Sequence, residues 1–165
     1  MCVVRASAAD IKTVQYIVEV TIKDIYPHYY PSGAVEFFLQ HHNEGNIVKD
    51  IDAGDVYLCF DSNRAVGTVT VKGNEICRLF VLPDAQGNGY GRDLLRFAEN
   101  AVSAKYDAIV LDASLPAKAI YMKKGYVQTE YHAIHTPSGD YLCYDVMILS
   151  SLENVSRPTW KNVDI

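Results

Sequence analysis

A glycine-rich segment in the middle of the chain has the residue types and the spacing to bind an anion. Gly87, Gly89 and Gly91 follow an apolar run that ends at Pro83. Glycine adopts backbone angles that other residues avoid, so several N–H groups can converge on one point. An amphipathic helix is predicted over residues 89–104, and a helix N-terminus attracts phosphate oxygens. The segment therefore predicts a phosphate-binding turn between a strand and a helix.

Two common phosphate-binding motifs fit this segment poorly. A P-loop ends in Gly-Lys followed by Ser or Thr, whereas Gly91 is followed by Arg92 and Asp93. A Rossmann turn requires G-x-G-x-x-G in the first βαβ unit and an acidic residue that contacts the ribose, but here the glycines alternate in mid-chain. Neither nucleoside triphosphate hydrolysis nor dinucleotide binding is therefore expected.

Residues 86–91 instead resemble the Q/R-x-x-G-x-G/A signature of the GNAT superfamily of acyl-CoA-dependent N-acetyltransferases. The L-F-V-x-P strand end that precedes them is also typical of the family. Residues 111–126 are similar to a second family signature, in which Tyr121 takes the position of the family tyrosine. Ile120 and Met122 replace an aromatic residue and a glutamate of that signature.

The resemblance extends over about residues 3–149 and implies a fold and a cosubstrate. The implied fold is an α/β GNAT fold, with a mixed, mostly antiparallel central sheet that is splayed at the cofactor strand and has helices on both faces. Acetyl-CoA is the implied cosubstrate, and a primary amine of a small molecule or peptide is the implied acceptor. The main chain of Phe80 and Val81 would pair with the pantetheine arm as an added strand does. The implied cofactor-binding residues are Phe80, Val81, Gln86, Gly87, Asn88, Gly89, Tyr90, Gly91, Arg92 and Ser114.

Two catalytic residues follow from the resemblance. Tyr121 would donate a proton to the departing CoA sulfur, and Glu75 matches the position where some relatives place a general base. An alkylamine has a pKa near about 10.4, so a base or a water chain must accept a proton from it at neutral pH. The alternative for Tyr121 is a packed aromatic residue, and the alternative for Glu75 is the polar end of a strand.

Other polar residues near these signatures keep two interpretations. Ser114 can cap the following helix or bind the pantetheine arm. Arg92 and Lys118 can meet CoA phosphates or stay solvated, and solvation is the expectation for both. His41 or His42 can contact the acceptor, because the preceding aromatic segment overhangs the acceptor site in similar proteins. The histidines show no metal-ligand spacing with cysteines or carboxylates, so no metal is expected.

The elements that position these residues follow from the periodicity of apolar residues. One helix is predicted to begin after Asp10 and end before Pro27, and a short one to end at Gly125. Other helices are predicted at 33–42 and 89–104, and strands at 3–6, 56–60, 65–72, 75–82, 108–113, 126–135 and 141–149.

Length and composition predict one domain. The 165 residues are 49% hydrophobic, which suffices for a single core. We expect a domain over residues 1–149 and a loose or partner-binding tail over residues 150–165, and the tail and last hairpin could support a homodimer.

The four cysteines form no C-x-x-C pair and no apolar run reaches the roughly 20 residues of a membrane span, so a cytoplasmic protein is expected. A net charge of −5 argues against a nucleic-acid partner.

Three function classes remain open at this point. The chain can be an active N-acetyltransferase of small molecules or peptides, which the intact signatures favour. It can be a catalytically silent acyl-CoA-binding or regulatory module that keeps the fold. It can also be a protein-interaction domain in which the glycines serve only the turn.

Overall fold

Seven strands and five α-helices make up residues 2–150, the part of the chain that the computed structural model describes. The helices are α1 (Ile11–Ile25), α2 (Ser32–His41), α3 (Glu44–Asp52), α4 (Tyr90–Ser103) and α5 (Leu115–Lys123). The strands are β1 (Cys2–Arg5), β2 (Val56–Asp61), β3 (Arg64–Lys72), β4 (Glu75–Val81), β5 (Ala108–Ser114), β6 (Val127–His135) and β7 (Tyr141–Ser150).

The strands form one sheet in the order β1-β2-β3-β4-β5-β7-β6, and the only parallel neighbours within it are β4 and β5. These two strands pair at a single position, Glu75 opposite Val110. Beyond that pair they diverge, so the sheet is splayed along the rest of β4. The predicted fold class, a mixed and mostly antiparallel sheet with a splayed strand, is confirmed.

Helices cover both faces of the sheet, as β3 shows. A Cβ built on Gly67 would lie 2.8 Å from a methyl group of Leu94, so α4 packs on the face to which Gly67 belongs. Thr70, three residues further along β3, contacts Arg78, which in turn binds Asp50 of α3. Because side chains alternate along a strand, α3 and α4 lie on opposite faces.

Helix α3 is not among the predicted elements, although the sequence contains a signal for it. Asn43 is the N-cap, and its side chain accepts a hydrogen bond from the N–H of Asn46 at 3.0 Å. Ile47 and Ile51 are spaced four residues apart and are both buried. A capping Asn before an i, i+4 apolar pair is a helix signature, but Gly45 in the first turn weakens it.

The first helix begins after Asp10 and ends at Ile25, before Pro27 as predicted, and a short 3₁₀ turn, Tyr26–His28, follows it. The apolar run at 108–113 is typical of a strand buried on both faces, but Asp112 is exposed where β4 leaves β5, so that expectation is wrong. The predicted tail, apart from Ser150 at the end of β7, lies outside the described residues.

Candidate active site at the splayed strands

The glycine segment forms the turn between β4 and α4. Gly87 and Gly89 have left-handed backbone conformations, with φ of 80° and 89°, which residues with a Cβ adopt only with strain. Gly89 is also the N-cap residue of α4 and makes no side-chain capping hydrogen bond. The first N–H groups of α4 therefore have no capping side chain, and the positive end of the helix dipole lies beside them.

Two amide side chains hold this turn in place. Nδ2 of Asn88 donates to the carbonyl of Ala85 at 3.1 Å, and Nε2 of Gln86 donates to the carbonyl of Val81 at 3.0 Å. Gly91 differs from the other two glycines, because a Cβ there would make an ordinary contact with Val81 at 3.7 Å. The backbone conformation therefore favours glycine at positions 87 and 89. At position 91 it does not, and Gly91 leaves the first turn of α4 without a side chain there.

A cavity of about 670 Å³ lies where β4 and β5 diverge, and we call it the larger cavity. The end of β4, the glycine turn, the start of α4 and one side of α5 line it. Nine of the ten predicted cofactor-binding residues line it together, namely Phe80, Val81, Gln86, Gly87, Gly89, Tyr90, Gly91, Arg92 and Ser114. Asn88, the tenth, instead makes the hydrogen bond to Ala85 that holds the turn.

A second cavity, of about 230 Å³, adjoins the first, and we call it the smaller cavity. It is enclosed by α2, β4, β5 and the hairpin of β6 and β7. Both cavities are lined by Tyr26, Leu79, Phe80, Ser114, Ala117 and Tyr121. The two predicted catalytic residues meet there, because Tyr121 lines both cavities and Glu75 lines the smaller one.

Tyr121 lies on α5 at the junction of the two cavities. Its side chain is buried and packs edge-on against Tyr126, with ring centroids 5.6 Å apart. Burial raises the pKa of Tyr121 well above its ordinary value. The phenol therefore stays protonated throughout the neutral range and is chemically able to donate a proton.

Ser114 occupies the N-cap position of α5 but makes no side-chain capping hydrogen bond. Of the two interpretations of Ser114, the one in which its hydroxyl caps the helix is therefore wrong, and binding of the pantetheine arm stays a prediction. Its Oγ instead accepts a hydrogen bond from the hydroxyl of Tyr26 at 3.3 Å. Tyr26 follows α1 and Ser114 ends β5, so this contact joins the segment after α1 to β5 at the junction of the cavities.

Two acidic side chains, Glu75 and Asp112, line the smaller cavity, and we call them the acidic wall. Glu75 and Cys77 lie on β4, and Asp112 lies on β5. Burial, helped by the charge of Glu75, raises the pKa of the Cys77 thiol to about 12, so the thiol stays protonated. Burial and the same charge also raise the pKa of Asp112. The negative charge of Glu75 therefore acts on two side chains of this cavity.

His41 and His42, at the end of α2, both line the smaller cavity. The ring of His42 packs edge-on against Phe80, with centroids 5.4 Å apart. Burial, and then the positive charge of Arg78, lower the pKa of His42 to about 3. His42 is therefore neutral at physiological pH, and contact with an acceptor stays a prediction for both histidines.

Arg78 is a residue of this site that the sequence analysis missed. It has a positive φ of 44° and lies at a bulge, where β4 has one residue more than β3 between two paired positions. Its side chain is buried, with Nη1 2.6 Å from Oδ2 of Asp50 and 3.0 Å from Oγ1 of Thr70. The Nζ of Lys72 lies 2.6 Å from the other oxygen of Asp50. An arginine within an otherwise apolar strand is the only feature of the sequence that indicates a buried role for Arg78.

The two basic residues considered for phosphate binding differ in environment. Arg92 lines the larger cavity, and its exposed side chain lies 3.3 Å from Asp93. Lys118 does not line the larger cavity, and its Nζ lies 2.8 Å from the buried carboxylate of Asp145 and 3.0 Å from Gln128. Its side chain is 32% exposed, so the expectation that Lys118 stays solvated holds only in part.

Within residues 2–150, no group of three or more His, Cys, Asp or Glu side chains is arranged to hold a metal ion. Among the helices of the same residues, none combines the length and the apolar character that crossing a membrane requires.

Comparisons with known proteins agree with this geometry. The family model for the acetyltransferase (GNAT) domain matches residues 25–135. No curated protein matches the sequence significantly.

Solved structures share the fold at low sequence identity. A GCN5-related N-acetyltransferase of Rhodopseudomonas palustris has a TM-score of 0.83 and 21% identity, over 90% of this chain and 94% of that one. PaiA N-acetyltransferase of Thermoplasma acidophilum, solved with coenzyme A, has a TM-score of 0.66 and 18% identity, over 90% and 98%. A ribosomal-protein-alanine N-acetyltransferase of Brucella melitensis has a TM-score of 0.64 and 17% identity, over 91% and 99%.

Proposed function

The chain belongs to the GNAT acetyltransferase family, and we propose that it transfers the acetyl group of acetyl-CoA to a primary amine of a small molecule or peptide. One observation carries this proposal. The larger and smaller cavities meet at Tyr121 and Phe80, so a group bound in one is presented to a group bound in the other. Neither cavity alone would suggest a two-substrate reaction.

The larger cavity fits the phosphate end of acetyl-CoA. Two left-handed glycines and an uncapped helix N-terminus are the features that bind a pyrophosphate through main-chain N–H groups. Gly91 adds no side chain to the first turn of α4, and Arg92 supplies a positive charge at the cavity. The arrangement supports the predicted cofactor residues 86–92 as a phosphate cradle.

The main chain of β4 supports a strand-like contact with the pantetheine arm. The N–H of Leu82 donates to Val66 of β3 at 2.9 Å. Because main-chain groups alternate sides along a strand, those of Phe80 also face β3, whereas the N–H of Val81 and the carbonyl of Leu79 face the splay. We therefore revise the predicted pairing to Val81 and Leu79, and assign Phe80 a side-chain role at the junction.

The smaller cavity supports the acceptor chemistry. When bound, acetyl-CoA supplies the thioester carbonyl that the amine attacks. Glu75, on the acidic wall, accepts a proton from the incoming ammonium group, directly or through water. Tyr121, buried and protonated, donates a proton to the departing sulfur. Tyr26 and Ser114, joined by a hydrogen bond, fix the wall between the two cavities.

Thiol release from acetyl-CoA tests this proposal. The purified full chain is assayed against polyamines, amino acids, aminoglycosides and peptides with a free N-terminus, and CoA binding is measured by calorimetry in parallel. We expect CoA to bind and at least one amine to accelerate thiol release. CoA binding with no amine-dependent release would instead indicate a silent acyl-CoA-binding module. Tighter binding of NAD or ATP than of CoA would contradict the cradle.

A further inference from the structure

Helix α5 carries Tyr121 but has a narrow buried face. Among the residues of α5, Tyr121 alone is buried, and its neighbours Ile120 and Met122 are each 58% exposed. Most helices are held in place by a broad apolar face that packs on the core. Because α5 has no such face, its polar contacts contribute much of what fixes its position, and with it the place of the Tyr121 phenol.

The first turn of α5 is bound by a side chain from a distant part of the sequence. Ser114 occupies the N-cap position without a side-chain capping hydrogen bond, and Pro116 has no N–H to donate. The N–H of Leu115 donates to the hydroxyl of Tyr30 at 2.7 Å, although the two residues are 85 positions apart. Tyr30 therefore supplies a hydrogen-bond acceptor at a helix N-terminus that has no capping side chain of its own.

The same hydroxyl is also bound to the sheet. It donates to the carbonyl of Cys143 on β7 at 3.0 Å. The next residue of β7, Tyr144, pairs with Ser114 at the end of β5, so the hydroxyl links the two chains directly after their last sheet pair. Burial raises the pKa of Tyr30 far above its ordinary value. The hydroxyl therefore stays protonated and keeps its donor role at every pH of an ordinary assay.

Packing fixes the ring of Tyr30, and its position keeps it away from both cavities. The residue is buried, and its ring centroid lies 5.1 Å from that of Phe38 and 5.6 Å from that of Tyr26. Tyr30 lines neither the larger nor the smaller cavity. Any effect of its hydroxyl on the reaction must therefore act through the residues that it holds.

We propose that Tyr30 is a positioning residue, whose hydroxyl holds the N-terminus of α5 against β7 and thereby sets the place of the Tyr121 phenol. This inference rests on the proposed function, because it takes Tyr121 as the proton donor. Leu115 precedes Tyr121 by six residues, which is about 9 Å along the axis of one short helix. A displacement of about 1 Å in a reacting group can slow a reaction about a hundredfold. A small movement of the helix N-terminus is therefore enough to reduce turnover.

Tyr30→Phe tests the proposal, because it removes the hydroxyl and keeps the packed ring. Amine-dependent thiol release and the affinity for acetyl-CoA are measured on the purified full chain. We expect kcat to fall by about tenfold or more, while KM for the amine and the calorimetric affinity for acetyl-CoA stay within about twofold of wild type. A wild-type kcat would overturn the inference, and so would the loss of acetyl-CoA binding, which would indicate a general structural role. The absence of thiol release from the wild type with every amine would instead contradict the proposed function.

Combining Tyr30→Phe with Tyr121→Phe distinguishes positioning from an independent effect. If the hydroxyl of Tyr30 acts only through that of Tyr121, the double variant should turn over within about twofold of Tyr121→Phe alone. Two losses that multiply would mean that Tyr30 acts independently of Tyr121, which would refute the inference. Wild-type turnover in Tyr121→Phe would refute it equally, because Tyr30 would then have no proton donor to position.

Hydrogen exchange gives a measurement that does not depend on activity. In Tyr30→Phe the amides of α5 should exchange at least about tenfold faster than in wild type, whereas those of α4 should be unchanged. Tyr57→Phe is the matched control, because the Tyr57 hydroxyl accepts a hydrogen bond from Arg5 at 3.2 Å and Tyr57 lines neither cavity. It should change neither turnover nor the exchange of α5. Wild-type exchange of α5 in Tyr30→Phe would show that the hydroxyl does not hold the helix.

Discussion

The guanidinium of Arg78 lies 2.6 Å from the carboxylate of Asp50, and both side chains are almost fully buried. The pair joins α3 to the bulge of β4, a strand that lines both cavities. Arg78 has a positive φ at this bulge, a conformation that costs about 1–2 kcal/mol in a residue other than glycine. The ion pair and the hydrogen bond to Thr70 hold the residue in that conformation.

Breaking this pair should destabilise the protein strongly. Asp50→Ala leaves the guanidinium of Arg78 buried without a carboxylate, and such losses typically cost about 3–5 kcal/mol. Chemical denaturation of the variant should show a free energy of unfolding lower by that amount. Asp52→Asn, exposed on the same helix, is the control and should stay within about 0.5 kcal/mol of wild type. A loss below about 1 kcal/mol in Asp50→Ala would mean that the bulge is stable without its ion pair.

The same pair predicts a dependence of stability on acid. Burial tends to raise the pKa of Asp50, but Lys72 and Arg78 outweigh it and hold the pKa below its ordinary value. A lowered folded-state pKa stabilises the fold fully above the unfolded value of about 3.9, and this contribution is lost as the pH falls through the folded value. The gap in unfolding free energy between wild type and Asp50→Asn should therefore be constant from pH 5 to 7 and narrow below about pH 4. A gap that stays constant down to pH 2 would contradict this assignment.

The regular elements of this fold were predictable, whereas the partners of the buried charges were not. Apolar periodicity predicted α4, which buries one face, and apolar runs bounded by turn residues predicted the strands, all within one or two residues. The conformation of Arg78 depends on Asp50, which is 28 residues earlier in the chain and on a helix that the pattern did not reveal. The acidic wall was equally hidden, since Asp112 joins Glu75 only because β4 leaves β5. Local sequence carries no information about such tertiary pairings.

Substitutions at two glycines can distinguish an effect on cofactor binding from an effect of backbone strain. Gly87 and Gly139 have φ of 80° and 87°, and a Cβ on either would contact nothing within 4 Å. Alanine at either position should therefore cost a similar amount, about 1–2 kcal/mol of stability. Only Gly87→Ala should weaken CoA binding, by about tenfold or more in calorimetry, because only Gly87 belongs to the turn at the larger cavity. Equal CoA affinity in the two variants would reject the phosphate cradle.

Glu75→Gln should slow acetylation most at low pH. Without the carboxylate, only the amine that is already unprotonated in solution can react. The unprotonated fraction of an alkylamine grows as the pH approaches its pKa of about 10.4. The activity ratio of wild type to variant should therefore fall steadily between pH 6.5 and 9. Glu36→Gln, an exposed change on α2 outside the smaller cavity, should follow the wild-type profile. A ratio that is independent of pH would assign Glu75 a structural role.

Tyr121→Phe tests the proton donor by removing one hydroxyl group. The ring contact with Tyr126 and the affinity for acetyl-CoA should persist, while turnover should fall by roughly 10²–10⁴-fold, the range for losing a general acid. A thiolate is already a fair leaving group, so the lower end of that range is expected. Single-turnover thiol release at saturating acetyl-CoA measures this loss directly.

Tyr126→Phe is the matched control for this change. Its ring lies 5.6 Å from that of Tyr121, but it lines neither cavity, and its hydroxyl bonds Glu99 at 3.3 Å. Losing that bond should reduce stability by about 1 kcal/mol and leave turnover near the wild-type value. Equal losses of turnover in the two variants would indicate that the aromatic pair serves packing. Wild-type turnover in Tyr121→Phe would require a different acid at the junction. The hydroxyl of Tyr26 is then the candidate, because Tyr26 lines both cavities and its hydroxyl already bonds Ser114.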